Sequence, residues 1–328
     1  MRALVRAVSA VVSSRGASAR LLILIYHRVH PVADPLRPGD VDAVTFDWQM
    51  EVLARYFTPL ALDNAMELLR QGKLPANAVC VTFDDGYADN VEVALPILQR
   101  WAVPATFFLT TGFFEHGCMW NDRIIELLRT VDTPKLSLSS LGLGEYEITS
   151  MDARLHMVNS VLRQLKHLPL EERDHQVQRL ENALNVDVSY FPMMQKEQVS
   201  VLVKAGMGVG AHTVNHPILS KISLDEARQE IESGKQQLEV LTGKEVTLFA
   251  YPNGAPGRDY GAEHVDLVKA AGFDAAFSTA WAAAQHTDDF MQMPRVGSWD
   301  NTRFRFYLRL VRNYRTGNAE RVVTGDGQ

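Results

Sequence analysis

The chain has 328 residues, is 46% hydrophobic, and carries 33 Lys and Arg against 39 Asp and Glu, a formal charge of -6 with neutral histidine. This composition is typical of a soluble globular protein with a substantial core, and it lacks the clustered basic face of a general nucleic-acid binder. Only two cysteines occur, Cys80 and Cys118, and neither has a CxxC neighbour, which excludes a disulfide framework and a thiolate zinc site.

The first 20 residues precede the first predicted strand and form an N-terminal extension. An apolar stretch at 7–12 is too short for a signal peptide, although residues 17–19 resemble a cleavage site. We therefore expect an uncleaved, weakly amphipathic helix over residues 1–20 and a cytoplasmic protein; a cleaved signal would instead place it in the periplasm or outside the cell. No apolar run reaches the roughly 20 residues that span a bilayer, so the expected membrane contact is at most peripheral.

Strand-like and helix-like segments alternate along most of the chain. Continuous β-prone apolar runs predict buried strands, and apolar residues at helical spacing predict helices between them. The predicted elements are, in chain order, a strand at 21–26, helices at 45–56 and 62–71, a strand at 79–83, a helix at 89–101, a strand at 105–109, a helix at 195–205, a strand at 207–211, a helix at 224–241, a strand at 246–250, a helix at 263–271 and a strand at 273–279. This alternation predicts parallel strands joined by crossover helices.

Residues 117–192 interrupt this alternation. They are polar and leucine-rich, and the spacing predicts helices over 151–166 and 170–184. We interpret the segment as a helical insertion that either packs against the core or forms a cap near the site.

The polar motifs directly follow predicted strands, at the edge that carries catalytic residues in barrel-like α/β folds. Asp84 and Asp85 end one strand, and Gly86 is expected to turn the chain so that both carboxylates face one cavity. His212 and His216 follow another strand and, on one helical turn, would face the same side. Two imidazoles and one carboxylate leave open coordination positions, which is typical of a catalytic metal site, while the second carboxylate remains free as a base.

Three segments together resemble motifs of the polysaccharide deacetylase (NodB-homology) family. Thr82-Phe83-Asp84-Asp85-Gly86 and His212-Thr213-Val214-Asn215-His216 resemble its first two motifs, and residues 249–254, Phe-Ala-Tyr-Pro-Asn-Gly, resemble the Tyr-Pro-x-Gly form of the third. The resemblance covers roughly residues 22–295 and is closest to an exopolysaccharide-type subgroup. It implies an α/β fold, a distorted (β/α) barrel spanning residues 21–328 with the helical insertion at about 117–192.

The resemblance also implies the roles of individual residues. Asp84 matches the general base, and Asp85, His212 and His216 match the ligands of one divalent metal. Zinc is the expected ion, with cobalt, nickel and iron as alternatives. The segment Tyr251, Pro252, Asn253 and Gly254 matches a substrate and oxyanion loop, in which the Asn253 N–H is the donor. In this scheme the metal polarises the acyl carbonyl and activates a water, and Asp84 takes the proton of that water.

Two departures from the family pattern concern the groups around the base. Some members carry an arginine in the third motif that orients the base, and Ala250 stands at that position here. Arg295 follows the last predicted strand and is a candidate replacement. A C-terminal histidine that serves as general acid in many members is also missing; His264 and His286 lie nearby in sequence but are expected to be surface residues.

Two further residues are candidates for lining the site. His27 follows the first strand, and the alternative is a histidine that bonds only the backbone of its loop. Trp120 is an aromatic residue that would stack on a sugar ring, or else pack the insertion onto the barrel.

These observations predict N-deacetylation of an N-acetylhexosamine-containing polysaccharide or lipid-linked saccharide, with exopolysaccharide biosynthesis as the setting by resemblance. The expected partner is a saccharide and not a nucleic acid. Two alternatives are hydrolysis of a small non-peptide amide and a barrel that binds sugar without turnover. Loss of the third-motif arginine and the terminal histidine motivates the second alternative, and retention of the four core residues opposes it.

Overall fold

A computed structural model of the chain describes residues 10–114, 117–186, 190–297 and 300–324. The helix expected over the first 20 residues lies partly outside these ranges, because residues 1–9 are not among them. Of the remainder, residues 10–13 form a helical turn and Gly16–Ser18 a short 3-10 helix.

The strands and helices follow the predicted alternation. The strands are β1 Leu22–Tyr26, β2 Val29–His30, β3 Val41–Asp42, β4 Thr58–Pro59, β5 Ala78–Phe83, β6 Ala105–Leu109, β7 Lys135–Ser137, β8 Glu145–Glu147, β9 Gly208–Ala211, β10 Leu248–Ala250, β11 Ala275–Phe277 and β12 Val296–Gly297. The α-helices are α1 Ala43–Tyr56, α2 Leu62–Arg70, α3 Leu95–Trp101, α4 Trp120–Arg129, α5 Met151–Leu165, α6 Leu170–Leu184, α7 Lys196–Lys204, α8 Leu224–Thr242, α9 Ala262–Ala270 and α10 Arg303–Asn313.

Two helix starts differ from the prediction. Helix α1 begins two residues earlier than Thr45, because the Asp42 carboxylate accepts a hydrogen bond from the Thr45 N–H and caps the helix. The helix predicted at 89–101 opens with a π-helical segment, Asn90–Ala94, before α3.

The main sheet is parallel throughout, as the alternation predicts. Its order is β11-β10-β9-β6-β5-β1-β12, and β4 also pairs with β5. The sheet curls, and an isolated parallel bridge between Phe277 and Met293 links β11 to the segment that leads into β12. The two edges of the sheet therefore approach each other, which gives the distorted (β/α) barrel.

Alternate residues of the strands pack on opposite faces of the sheet. Leu22 and Leu24 belong to one apolar cluster, and Leu21 and Ile23 belong to another. Cys80 is 1% exposed on the second face and is therefore a core thiol. Because both faces are covered, the strands of the main sheet are largely apolar, and charged side chains follow them where they end.

Residues 117–186 form a separate helical unit over the carboxyl ends of the strands. Helices α4, α5 and α6 and the antiparallel hairpin β7–β8 enclose their own apolar cluster. The unit is anchored to the barrel through Asp122 of α4, whose carboxylate accepts hydrogen bonds from Arg37 Nη2 at 2.8 Å and from the Tyr87 hydroxyl at 2.9 Å. We call this unit the cap.

In the part of the chain that the structure describes, no helix combines the length and apolar character needed to cross a bilayer.

Candidate active site

Asp84 and Asp85 stand at the carboxyl end of β5, and both line one cavity. Asp85 itself adopts a left-handed backbone, with φ of 78°, and Gly86 follows with φ of 93°. The turn predicted at Gly86 therefore begins one residue earlier. The Asp85 carbonyl accepts hydrogen bonds from the N–H and hydroxyl of Thr110, which hold this unfavourable backbone conformation.

Residues 212–216, the histidine loop, follow β9. The predicted helical turn is wrong, because the segment is an irregular loop in which Thr213 and His216 have φ values of 65° and 53°. These left-handed residues, rather than helical spacing, bring the imidazoles of His212 and His216 to a centroid separation of 4.8 Å.

Glu230 of helix α8 fixes the histidine loop from behind. Its carboxylate accepts hydrogen bonds from the Val214 N–H at 2.9 Å and the Asn215 N–H at 2.8 Å, and from the Asn215 side-chain amide at 2.7 Å. Gly234 of the same helix lies so close that an added Cβ would sit 3.0 Å from the Thr213 carbonyl carbon. The conformation of the histidine loop therefore depends on contacts with α8, which lies outside the loop in the sequence.

Asp85, His212 and His216 form a group of potential metal ligands. Their ligand atoms all lie within 4.8 Å of one another, and Asp85 Oδ1 lies 3.5 Å from His212 Nε2 and 3.3 Å from His216 Nε2. Asp85 Oδ1 is buried and has no hydrogen-bond partner. A buried carboxylate oxygen without a partner is costly, and a cation held between these three atoms removes that cost. The residues therefore fit a divalent metal.

The two histidines are poised for this role in different ways. His212 Nδ1 lies 2.7 Å from the Ala250 carbonyl, so that nitrogen donates a proton and Nε2 faces Asp85. Burial lowers the pKa of His216 to about 4 although Asp85 opposes the shift, so this imidazole is neutral at neutral pH, as a metal ligand must be. Burial alone would lower the pKa of His212, but the nearby carboxylates of Asp84 and Asp85 raise it.

Asp84 is held by Arg295 and not by a residue of the third motif. The guanidinium makes two hydrogen bonds to the carboxylate, each 2.7 Å long, and the two residues are 1% and 3% exposed. Burial alone would raise the pKa of Asp84, but the charge of Arg295, followed by that of His212, holds it below its ordinary value. The carboxylate is therefore ionised and oriented at neutral pH.

The position of Arg295 follows from the closure of the barrel. Its backbone N–H binds the Ala280 carbonyl and its Nε binds the Ser278 carbonyl, both just beyond β11, while β12 begins at the next residue. The side chain thus enters where the two sheet edges meet and reaches Asp84.

The third-motif loop divides into structural and cavity-lining residues. Tyr251 and Pro252 are buried; the Tyr251 hydroxyl donates to the Met291 carbonyl, and its ring stacks 3.9 Å from that of Tyr260. Asn253 lines the cavity with φ of 60°, and Gly254 follows with φ of 72°. Within the described residues no hydrogen bond uses the Asn253 N–H, so it is free to donate to a ligand.

The cavity has a volume of about 360 Å³ and lies between the barrel and the cap. His27 lines it and is exposed, and its side chain therefore faces the site as well as solvent. Trp120 also lines it, at the start of α4. His264, by contrast, is 2% exposed and binds the Leu219 carbonyl, so the expectation of a surface residue is wrong for it, and neither it nor His286 lines the cavity.

Nine further residues of the cavity wall were missed in the sequence. On the barrel side they are Ile218 and Thr279, and on the cap side Met119, Asn121, Asn159, Leu162, Arg163, Lys166 and Arg173. Asn159 and Arg163 of α5 and Lys166, which directly follows it, are spaced by four and three residues. This polar stripe on one helical face is the sequence pattern that could have indicated these residues. That signal does not indicate which surface the stripe faces.

The family model described as polysaccharide deacetylase matches residues 71–276, more than half of the chain. The chain belongs to the polysaccharide deacetylase family. This family consists of hydrolases, and the matched segment includes the two aspartates and the histidine loop. His27 and Arg295 lie outside it, so their place in the site comes from the structure and not from the family match.

Known proteins of similar sequence or fold agree with this assignment. YxkH of Bacillus subtilis (strain 168), which is named as a polysaccharide deacetylase, is 19% identical over 279 residues, 85% of this chain and 71% of that protein. The fold is similar to that of Streptococcus pyogenes deacetylase PplD in complex with acetate, with a TM-score of 0.60, 19% identity and coverage of 89% and 98% of the two chains. IcaB from Ammonifex degensii gives a TM-score of 0.57, 19% identity and coverage of 90% and 98%. The expected fold and the family resemblance are both confirmed.

Proposed function

We propose that this protein is a metal-dependent hydrolase that removes N-acetyl groups from an N-acetylhexosamine-containing polysaccharide or lipid-linked saccharide. One observation carries the proposal: the three metal-ligand candidates Asp85, His212 and His216 lie beside a separate carboxylate, Asp84, that Arg295 keeps ionised. A ligand triad with an adjacent free base is the arrangement that hydrolysis of an acyl group requires.

When bound by this triad, a divalent cation supplies Lewis-acid polarisation of the acyl carbonyl and lowers the pKa of water. Two imidazoles and a carboxylate suit zinc, and also cobalt, nickel or iron. Asp84 accepts a proton from the attacking water, whose oxygen bonds to the acyl carbon. The Asn253 N–H is available to donate to the acyl oxygen as negative charge develops there.

The leaving amine needs a proton when the carbon–nitrogen bond breaks. We infer that His27 supplies it, because among the described residues it is the histidine outside the ligand triad that lines the cavity. General acid catalysis is worth typically about 10²-fold to 10⁴-fold. We expect His27→Asn to lower kcat by about 10²-fold or more, with metal content unchanged, as measured by steady-state kinetics and metal analysis.

Acetate release from N-acetylglucosamine oligomers tests the function. The protein is treated with chelator and then given zinc, cobalt or nickel, beside Asp84→Asn as the control that retains all three ligand candidates. Release that returns with metal and is absent in Asp84→Asn supports the proposal. Metal binding without acetate release from any N-acetylated saccharide would contradict it and favour either a sugar-binding barrel or hydrolysis of a small amide.

We retain a cytoplasmic location as a proposal. It is supported by the packing of residues before 17–19, the segment that resembles a cleavage site: Ser13 is 0% exposed, and its hydroxyl accepts a 2.8 Å hydrogen bond from the Asn77 N–H. Cleavage near Ala19 would remove this contact. A C-terminal fluorescent fusion that is exported and shortened by about 19 residues, as a cleaved signal requires, would overturn the location.

A further inference from the structure

The cap contributes three cationic side chains to the wall of the active-site cavity. Arg163 comes from α5, Lys166 directly follows that helix, and Arg173 comes from α6. Arg163 is exposed and Lys166 half-buried, whereas Arg173 is only 6% exposed. The wall opposite the metal-ligand triad is therefore positively charged.

Arg173 is buried without a counter-ion. Its Nε is buried and has no hydrogen-bond partner, and no carboxylate among the described residues forms an ion pair with it. Burial lowers the pKa of Arg173, and the neighbouring Asp174 only partly offsets this. A buried, unpaired guanidinium is costly, so a ligand that brings a negative charge into the cavity would stabilise it.

The carboxylates of the cavity do not neutralise these cations. Asp84 and Asp85 are the acidic side chains among its lining residues. Asp84 already accepts both hydrogen bonds of Arg295, and Asp85 is shared by the two histidines. The three cap cations thus remain in excess on the side of the cavity away from the barrel.

Trp120 positions the buried guanidinium. The centre of the Arg173 guanidinium lies 4.8 Å from the centre of the Trp120 ring, a cation–π contact, and both side chains line the cavity. Stacking on one face leaves the edge of a guanidinium, where its N–H donors lie, free to form paired hydrogen bonds with an oxyanion. The arrangement suits an oxyanion such as phosphate or carboxylate.

We propose that Arg173, with Arg163 and Lys166, forms an anion subsite, and that the natural substrate is a saccharide that carries a phosphate or carboxylate group near its N-acetyl group. This inference rests on the proposed function, since it assigns the substrate class of the same site. It distinguishes this protein from a deacetylase of neutral polymers.

Ligand binding to the zinc-loaded Asp84→Asn protein separates recognition from turnover. Three ligands are compared by calorimetry: neutral diacetylchitobiose, N-acetylglucosamine 1-phosphate, and a disaccharide of N-acetylglucosamine and glucuronate. We expect at least one anionic ligand to bind about 10-fold to 100-fold more tightly than the neutral one, since charge-assisted hydrogen bonds are the stronger class. The preferred anion identifies the source of the charge.

Variants of the cap then test which residues create the preference. Arg173→Met should abolish it, Arg173→Lys should restore part of it, and added salt should weaken it. Arg179→Met is the matched control on the same helix, because Arg179 binds Gln176 and the Ser140 carbonyl and does not line the cavity. If Arg173→Met fails to fold, the double variant R163M/K166M gives the second test.

Each outcome bears on one proposal. Equal binding of neutral and anionic ligands, or a preference that survives both cap variants, overturns the anion subsite. Acetate release by the wild-type protein from all three saccharides with equal efficiency also overturns it, while leaving deacetylation intact. Conversely, Arg173-dependent binding of an anionic saccharide without acetate release from any of them supports the subsite and contradicts the proposed function.

Discussion

Replacing Arg295 with methionine removes the charge that faces Asp84 while keeping an apolar side chain of similar length. The pair is buried, with side-chain exposures of 0% and 3%, and two 2.7 Å hydrogen bonds join the partners. Removing one partner of a buried ion pair costs about 3–5 kcal/mol, because the other charge stays in a medium of low polarity. We expect Arg295→Met to lower the free energy of unfolding by about this amount at neutral pH.

The loss also changes the protonation of Asp84. In the wild-type protein its pKa is depressed, so its contribution to stability is present above the unfolded-state pKa and is lost as pH falls through the folded-state pKa. Without Arg295, burial dominates and raises the pKa of Asp84. The stability difference between the two proteins should therefore shrink as pH falls toward about 4, and the acid limb of the activity profile should move to higher pH.

Urea denaturation at several pH values and a pH profile of acetate release measure both effects. Arg100→Met is the matched control, because Arg100 forms a 2.7 Å pair with Asp47 but its side chain is 63% exposed. Exposed pairs are worth about 0–1 kcal/mol, so this control should change little. A loss of less than about 1 kcal/mol in Arg295→Met, with an unmoved acid limb, would refute the role assigned to Arg295.

Three further predictions concern the supports of the site and the barrel. Glu230→Gln replaces charge-assisted hydrogen bonds to the histidine loop with neutral ones, and we expect the metal affinity measured by calorimetry to fall by about 10-fold. Glu232 is exposed on the same helix, so Glu232→Gln should leave the metal affinity unchanged. Gly234→Ala stabilises the helix by about 1 kcal/mol through its higher helix propensity, but crowding of the new methyl group against the histidine loop costs about 1–3 kcal/mol. We therefore expect a small change in Tm together with weaker metal binding. Unaltered metal binding would contradict the close contact. Ser13→Ala removes the acceptor of the buried Asn77 N–H and should lower the free energy of unfolding by about 1–2 kcal/mol in urea titrations. An unchanged free energy of unfolding would show that this hydrogen bond does not stabilise the protein in solution.

The alternation of strands and helices could be predicted because each element is local. An apolar β-prone run such as 79–83 is buried on both faces whatever it pairs with, and parallel strands place their carboxyl ends at one edge. The sequence therefore predicted that Asp84, Asp85 and the histidine loop meet. It did not predict how the chain turns there, because the left-handed conformations of Asp85 and Thr213 are stabilised by partners outside their own segments.

The sequence by itself determined which groups stand at the strand ends, two adjacent carboxylates and two imidazoles, and membership of the polysaccharide deacetylase family through the motifs around them. Only the tertiary structure decided which arginine holds Asp84 and which charged side chains line the cavity. Arg295 reaches Asp84 across 211 positions of the chain because the sheet curls until its edges meet. Arg173 reaches the cavity because the cap folds over the strand ends. Such contacts depend on the closure of the sheet and the placement of the cap, and no local spacing of residues encodes either.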